Sequence, residues 1–214
     1  MDQKSINGTM VGYDPGGNGT QGVAKISISG SQCTEIEVCT LDTVEDVISW
    51  IDEVEDLIGL GVDTLACWST GPSGWRTADL WLRKRYTEIQ QSVVSPNGLY
   101  GSMGLNGMAV LVSIREKRAD LPISETHPKV LYWALQRKKY DYTNAAPEMD
   151  FNLSDWLSIE VRTSNDHEWD ATVSALAALR GMQNRWTRDL FQLPVDQNTR
   201  LVFPCGQVQY WWPE

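Results

Sequence analysis

Met10-Val-Gly-Tyr-Asp14-Pro-Gly-Gly-Asn-Gly-Thr-Gln-Gly-Val-Ala-Lys-Ile-Ser-Ile-Ser29 is the stretch from which the rest of the chain can be placed. An apolar run ends in an aspartate, a glycine-rich segment follows, and a second β-branched run begins. That pattern predicts a hairpin whose first strand delivers one carboxylate to the strand end. The glycines permit a tight reversal and allow backbone N–H groups to approach an anion or a metal-linked oxygen. Cys33 to Thr40 alternates next and reads as a third antiparallel strand.

Beyond this meander the pattern changes to helices and buried strands. Thr43 caps an amphipathic helix over about 44–59, with Val44, Val47, Ile48, Ile51, Val54 and Ile58 on one face, and Gly59 to Gly61 end it. Val62 to Trp68 reads as a buried strand and Ser69 to Gly74 as the loop after it. A helix follows over about 78–91. Residues 95–107, rich in glycine and asparagine, suggest an ordered loop able to pass over a site, with a helix over about 108–117. Leu121 to Thr126 reads as a short strand, and Pro128 suits the first turn of a helix to about Lys138. Tyr140 to Phe151 looks like a connection, Leu153 to Val161 a weaker helix. Asn165 and Glu168 form a capping box for the strongest helix, and Leu201 to Trp212 a terminal hairpin. The sum is an α/β chain: a mixed sheet of three antiparallel strands, then parallel strands, flanked by helices.

Composition sets limits. The 214 residues suit one domain spanning 1–214, with a hydrophobic fraction of 42% that is ordinary for a globular chain. No apolar run reaches the roughly 20 residues of a membrane span, and Met1 to Ile6 has no basic-then-apolar leader, so a cytoplasmic protein is expected. Cys33, Cys39, Cys67 and Cys205 form no CxxC pair and read as reduced thiols, the first two on one face of their strand. The net charge of −10 excludes a general polyanion binder. It does not exclude a nuclease, whose carboxylates count as negative until metal arrives. Basic clusters remain at Arg83 to Arg85, Arg115 to Arg118 and Arg137 to Lys139.

Two later acidic clusters, Ser124-Glu125-Thr-His-Pro128 and Asn165-Asp-His-Glu-Trp-Asp170, are the expected partners of Asp14. Asp166 and Asp170 lie four apart on a helix, at the head of the stripe continued by Val173 and Ala177. His167 lies three before Asp170 and reaches the same side. Acids in a first helical turn also complement the macrodipole, which accounts for Asp166 and Glu168 better than for Asp170. Carboxylates from separate elements suit Mg2+ or Mn2+, and two such ions roughly 4 Å apart cleave phosphodiesters. The expected metal ligands are Asp14, Glu125, Asp166 and Asp170; Asp14, Glu125, Asp170 and His167 are the expected catalytic residues.

Asp14 before a glycine-rich hairpin, Glu125 after a later strand and Asp170 on a late helix together resemble the RNase H-like superfamily. More narrowly, Glu125-Thr-His-Pro-Lys129 and Asp166-His-Glu-Trp-Asp-Ala-Thr-Val-Ser-Ala-Leu-Ala-Ala178 resemble the DUF429 family of predicted nucleases. His167-x-x-Asp170 is similar to the last motif of Holliday-junction resolvases of the RuvC type. The resemblance implies a metal-dependent nuclease acting on DNA or RNA, with nucleic acid as partner, no membrane, and a homodimer or protein partner as an option. It also implies an acid at the end of the fourth strand, where Ala66-Cys67-Trp68-Ser69 offers none and Asp63 lies too early. That gap keeps an inactive scaffold or interaction module in view. An actin-like ATP-binding phosphotransferase is a further alternative, since residues 14–20 resemble a first phosphate loop, but no second such loop follows.

Overall fold

A computed structural model describes residues 5–17, 19–95 and 101–214. Its main sheet has five strands: β1 (Gly8–Asp14), β2 (Gln21–Ser29), β3 (Gln32–Leu41), β4 (Leu57–Val62) and β6 (Ile123–Glu125), in the order β3-β2-β1-β4-β6. β1, β2 and β3 are antiparallel neighbours, whereas β4 runs parallel to β1 and β6 parallel to β4. This is the mixed sheet expected of an RNase H-like chain. Around it lie α1 (Val44–Asp52), α2 (Thr77–Arg85), α3 (Gly101–Lys117), α4 (Pro128–Gln136), α5 (Tyr142–Leu157) and α6 (Asp166–Met182). Among the described residues, no helix is long and apolar enough to cross a membrane.

The element that organises the core is α6. From Glu168 to Leu179 every one of its residues is buried, as in a helix enclosed on all sides rather than lying on a surface. It packs on β1, β2 and β4 because those strands carry glycine where it crosses. A Cβ on Gly12 would run into the Ala171 carbonyl, and one on Gly61 into the Ser174 carbonyl. Gly12 and Gly61 are direct neighbours in register, so together they leave a flat bed for an alanine- and serine-lined helix. Asn165 caps α6 by accepting from the Glu168 N–H at 3.0 Å. The Glu168 carboxylate closes the box one residue further out, accepting from Ser164 N–H at 2.7 Å.

Several expected boundaries move, each for a physical reason. The first helix stops at Asp52, and Leu57 to Val62 is strand β4. Gly59 and Gly61 are interior strand positions, not helix terminators; Gly61 is made necessary by the Ser174 backbone, while Gly59 faces the side-chain ends of Met10 and Met182. Residues 63–67 therefore leave the sheet instead of forming a strand, and only Trp68–Ser69 (β5) pairs again, with Leu201–Val202 (β8). Residues 101–107 are helical, because Gly107 lets α3 come against Thr64; residues 96–100 of the expected loop lie outside the described residues. Most of the connection expected after Tyr140 is helix α5, which tolerates Pro147. The tail is no hairpin: β9 (Trp211–Trp212) pairs with β7 (Arg188–Asp189). A register shift in β3 pairs Cys33 with Ile28 and Cys39 with Val23, which puts the two free thiols on opposite faces.

Candidate metal centre

β1 and β4 are parallel and end at the same edge of the sheet. Asp14 is the last residue of β1, and Asp63 is the first beyond β4. The Asp63 N–H donates to the Tyr13 carbonyl at 2.9 Å, which fixes the two aspartates side by side. α6, held on the glycine bed, carries Asp170 over both. One carboxylate oxygen from each of Asp14, Asp63 and Asp170 lies within 4.8 Å of the others. Gln21 and Asn106 brace the glycine-rich turn beside them, donating to the carbonyls of Gly16 and Gly17.

Electrostatics follow from that crowding. Burial raises the Asp14 carboxyl above its usual range, opposed by its hydrogen bond to His167. Burial, and then the charge of Asp14, push Asp63 and Asp170 well above it. Lys129, at the start of α4, acts in the other direction on all three. His167 Nδ1 lies 2.6 Å from Asp14 Oδ2, and that bond raises the imidazole above its ordinary value.

The residues fit a divalent ion. Like carboxylates brought together in a partly dry site are costly unless a cation joins them. Asp170 Oδ1 is buried with no hydrogen-bond partner among the described residues, so a donor oxygen is left free. An all-oxygen set from rigid elements suits Mg2+ or Mn2+.

Glu125 is placed differently from expectation. Its Oε1 accepts from Arg76 Nη2 at 2.6 Å, and its Oε2 accepts from Arg76 Nη1 at 2.8 Å and from Ala66 N–H at 2.9 Å. Arg76 also binds Asp79 through two bonds, at 2.8 and 2.7 Å. Both Glu125 oxygens are thus committed to a buried ion-pair network, outside the three-aspartate cluster. Asp166 is exposed at the head of α6, close enough to Asp14 to act on it but not part of the cluster. His127 holds Ser92 through Nε2 at 3.0 Å.

Asp63 is the residue that sequence reading sets aside, because a strand over Val62 to Trp68 puts it near the start, whereas β4 ends at Val62. A signal existed. Val11-Gly-Tyr-Asp14 and Leu60-Gly-Val-Asp63 share one apolar-Gly-apolar-Asp pattern, and the structure pairs Val11 with Leu60, Gly12 with Gly61 and Tyr13 with Val62. Asp63 therefore stands at the end of the fourth strand, where Ala66 to Ser69 had offered no acid.

No family model and no curated protein sequence matches the chain, so the likeness to DUF429 stands on the two quoted segments alone. Among solved structures it is similar to Thermus thermophilus RuvC in complex with a Holliday junction substrate. Identity is 15% and the TM-score 0.48, with 82% of this chain and 96% of that chain covered. A second Thermus thermophilus RuvC structure gives 14% identity and a TM-score of 0.42 over the same shares. Identity at that level says nothing of shared chemistry.

Proposed function

We propose that the chain is a divalent-metal-dependent phosphodiesterase, a nuclease acting on DNA or RNA. The observation that carries this reading is the convergence of Asp14, Asp63 and Asp170 from two strand ends and a buried helix, within 4.8 Å. A bound Mg2+ or Mn2+ would polarise a phosphoryl oxygen and acidify an attacking water. Asp14, Asp63 and Asp170 would hold it, and the sheet and α6 fix them beforehand, so little reorganisation is needed. His167 orients Asp14 through Nδ1 and, with its side chain 31% exposed, can exchange a proton on its outer face. Lys129 offsets part of the negative charge that would otherwise repel a phosphodiester. A two-ion arrangement needs a donor beyond the three aspartates, and the candidates are His167, bonded to Asp14, and Asp166, exposed at the head of α6. Asp63 supplies the acid whose absence near Trp68 favoured an inactive scaffold.

The test is a calorimetric Mn2+ titration of wild type, Asp14→Asn, Asp63→Asn, Asp170→Asn and Glu125→Gln, followed by cleavage assays on DNA and RNA strands, duplexes and branched junctions. Each aspartate variant is expected to lose Mn2+ affinity by about a hundredfold and to lose cleavage, whereas Glu125→Gln keeps its metal. Unaltered binding in Asp63→Asn would overturn the assignment. A wild type that binds no Mn2+ and cleaves nothing would overturn the function.

A further inference from the structure

A cavity of about 180 Å3 adjoins the metal centre, since Asp63 is one of its walls. Lys129 is another, and its charge reaches all three clustered aspartates. Of the lining residues, Val94 is 46% exposed and Lys129 is exposed, so the cavity is open to solvent on that side. A group attached to a phosphodiester at the ion has this space as its neighbour.

The lining decides what kind of group fits. Arg76, the other cation of the wall, is spent on Asp79 and Glu125, and that buried trio carries one negative charge in excess. Lys129 stands on the side of Asp63, where the phosphate itself belongs. The rest of the lining offers an anion nothing and favours a neutral group. Leu65, Val93, Val94 and Met103 supply an apolar wall. Such a wall suits the face of a flat ring better than a sugar, whose hydroxyls would go unpaired against it. Size narrows the choice. A cavity of about 150 Å3 holds one benzene ring, so 180 Å3 takes one six-membered ring with its substituents and not the fused rings of a purine. We propose that this cavity is a base subsite, holding the pyrimidine ring of a nucleotide whose phosphodiester lies at the metal centre. The proposal rests on the phosphodiesterase reading and adds a substrate class to it. A base held there is out of its stack, so the target nucleotide is unpaired or flipped.

Thymidine 5′- and 3′-monophosphates are titrated by calorimetry into the Mn2+-loaded protein, beside the matching deoxyadenosine phosphates and base-free deoxyribose phosphates. One thymidine phosphate is expected to bind about tenfold more tightly than its base-free counterpart, the gain from one enclosed base, while deoxyadenosine gains about twofold or less. Val94→Trp places a bulky ring on the open side of the cavity. It is expected to cut the thymidine gain to about twofold or less, with Mn2+ affinity and melting temperature close to those of wild type. Met103→Phe fills the cavity from α3 and repeats the test if Val94→Trp folds poorly. Equal gains for thymidine and deoxyadenosine would overturn the proposal, and so would a thymidine gain that survives both substitutions, since the base would then lie outside this cavity. Wild type that binds Mn2+ but binds the three kinds of phosphate equally, or none of them, overturns this inference alone; wild type that binds no Mn2+ overturns the phosphodiesterase reading beneath it.

Discussion

Glu125 and Asp63 sit one residue apart across neighbouring strands, since Glu125 pairs with Val62, and they serve opposite ends. Glu125 accepts from Arg76 and Ala66, while Arg76 also donates to the Cys67 carbonyl at 3.1 Å. The pair thus ties down the 63–67 segment that carries Asp63. Removing the guanidinium would leave two buried carboxylates without a counter-charge, so Arg76→Met is expected to lose about 3–5 kcal/mol of stability in urea unfolding. Adding Asp79→Asn and Glu125→Gln should recover much of that loss; no recovery would show that Arg76 acts mainly by packing. His127 offers a second residue-scale test. Burial lowers its imidazole from 6.5 to about 4, so between those values the unfolded chain binds the proton more readily than the folded one. Stability from this group is complete above pH 6.5 and falls as pH drops towards 4, by about 3 kcal/mol. The difference between wild type and His127→Gln across that window should show the slope, and identical curves would reject it.

At the level of elements, the centre depends on how closely α6 approaches the sheet. Gly61→Ala would press a methyl group into the Ser174 carbonyl, and backbone cannot yield as a side-chain tip does. We expect a loss of about 3 kcal/mol or more in urea unfolding, and weaker Mn2+ binding even where the variant stays folded, because Asp170 moves with the helix. Full retention of both would mean that α6 has freedom to shift. The same glycines explain what the sequence revealed and what it concealed. Asp14, Asp170 and the cap at Asn165 could be read directly, since alternation, helical period and capping chemistry are local. Gly59 and Gly61 resembled a helix stop, because the reason for glycine at 61 is the backbone of a helix more than a hundred residues away. That misplacement hid Asp63, and with it one of the three clustered aspartates. Glu125 had the residue type and strand-end position of a ligand, but its partner Arg76 lies on another element and no spacing announces it. The helices over 101–107 and 142–151 were obscured by glycine, asparagine and proline, which tertiary packing overrides.

At the scale of the whole molecule, a chain of net charge −10 gathers three more-or-less buried carboxylates at one sheet edge, so its stability without metal works against its proposed function. Asp63 and Asp170 hold protons more tightly when folded than unfolded. A group raised in this way favours the folded state at low pH, and its contribution is lost as pH rises through the folded value. The metal-free protein should therefore become less stable from mildly acidic to alkaline pH, the reverse of the His127 effect. Asp170→Asn cannot ionise and should flatten this slope, leaving the metal-free variant at pH 8 with a melting temperature at or above that of wild type. Adding Mn2+ inverts the ranking. At a hundredfold excess over its dissociation constant, an ion bound only by the folded state adds about 2.7 kcal/mol, which for a chain of this size is about 5–10 °C. Wild type should gain that shift at pH 8 and Asp170→Asn should not. A variant stabilised by Mn2+ as much as wild type would place the ion elsewhere. A wild type indifferent to pH without metal would mean that the three carboxylates do not repel one another as their spacing requires.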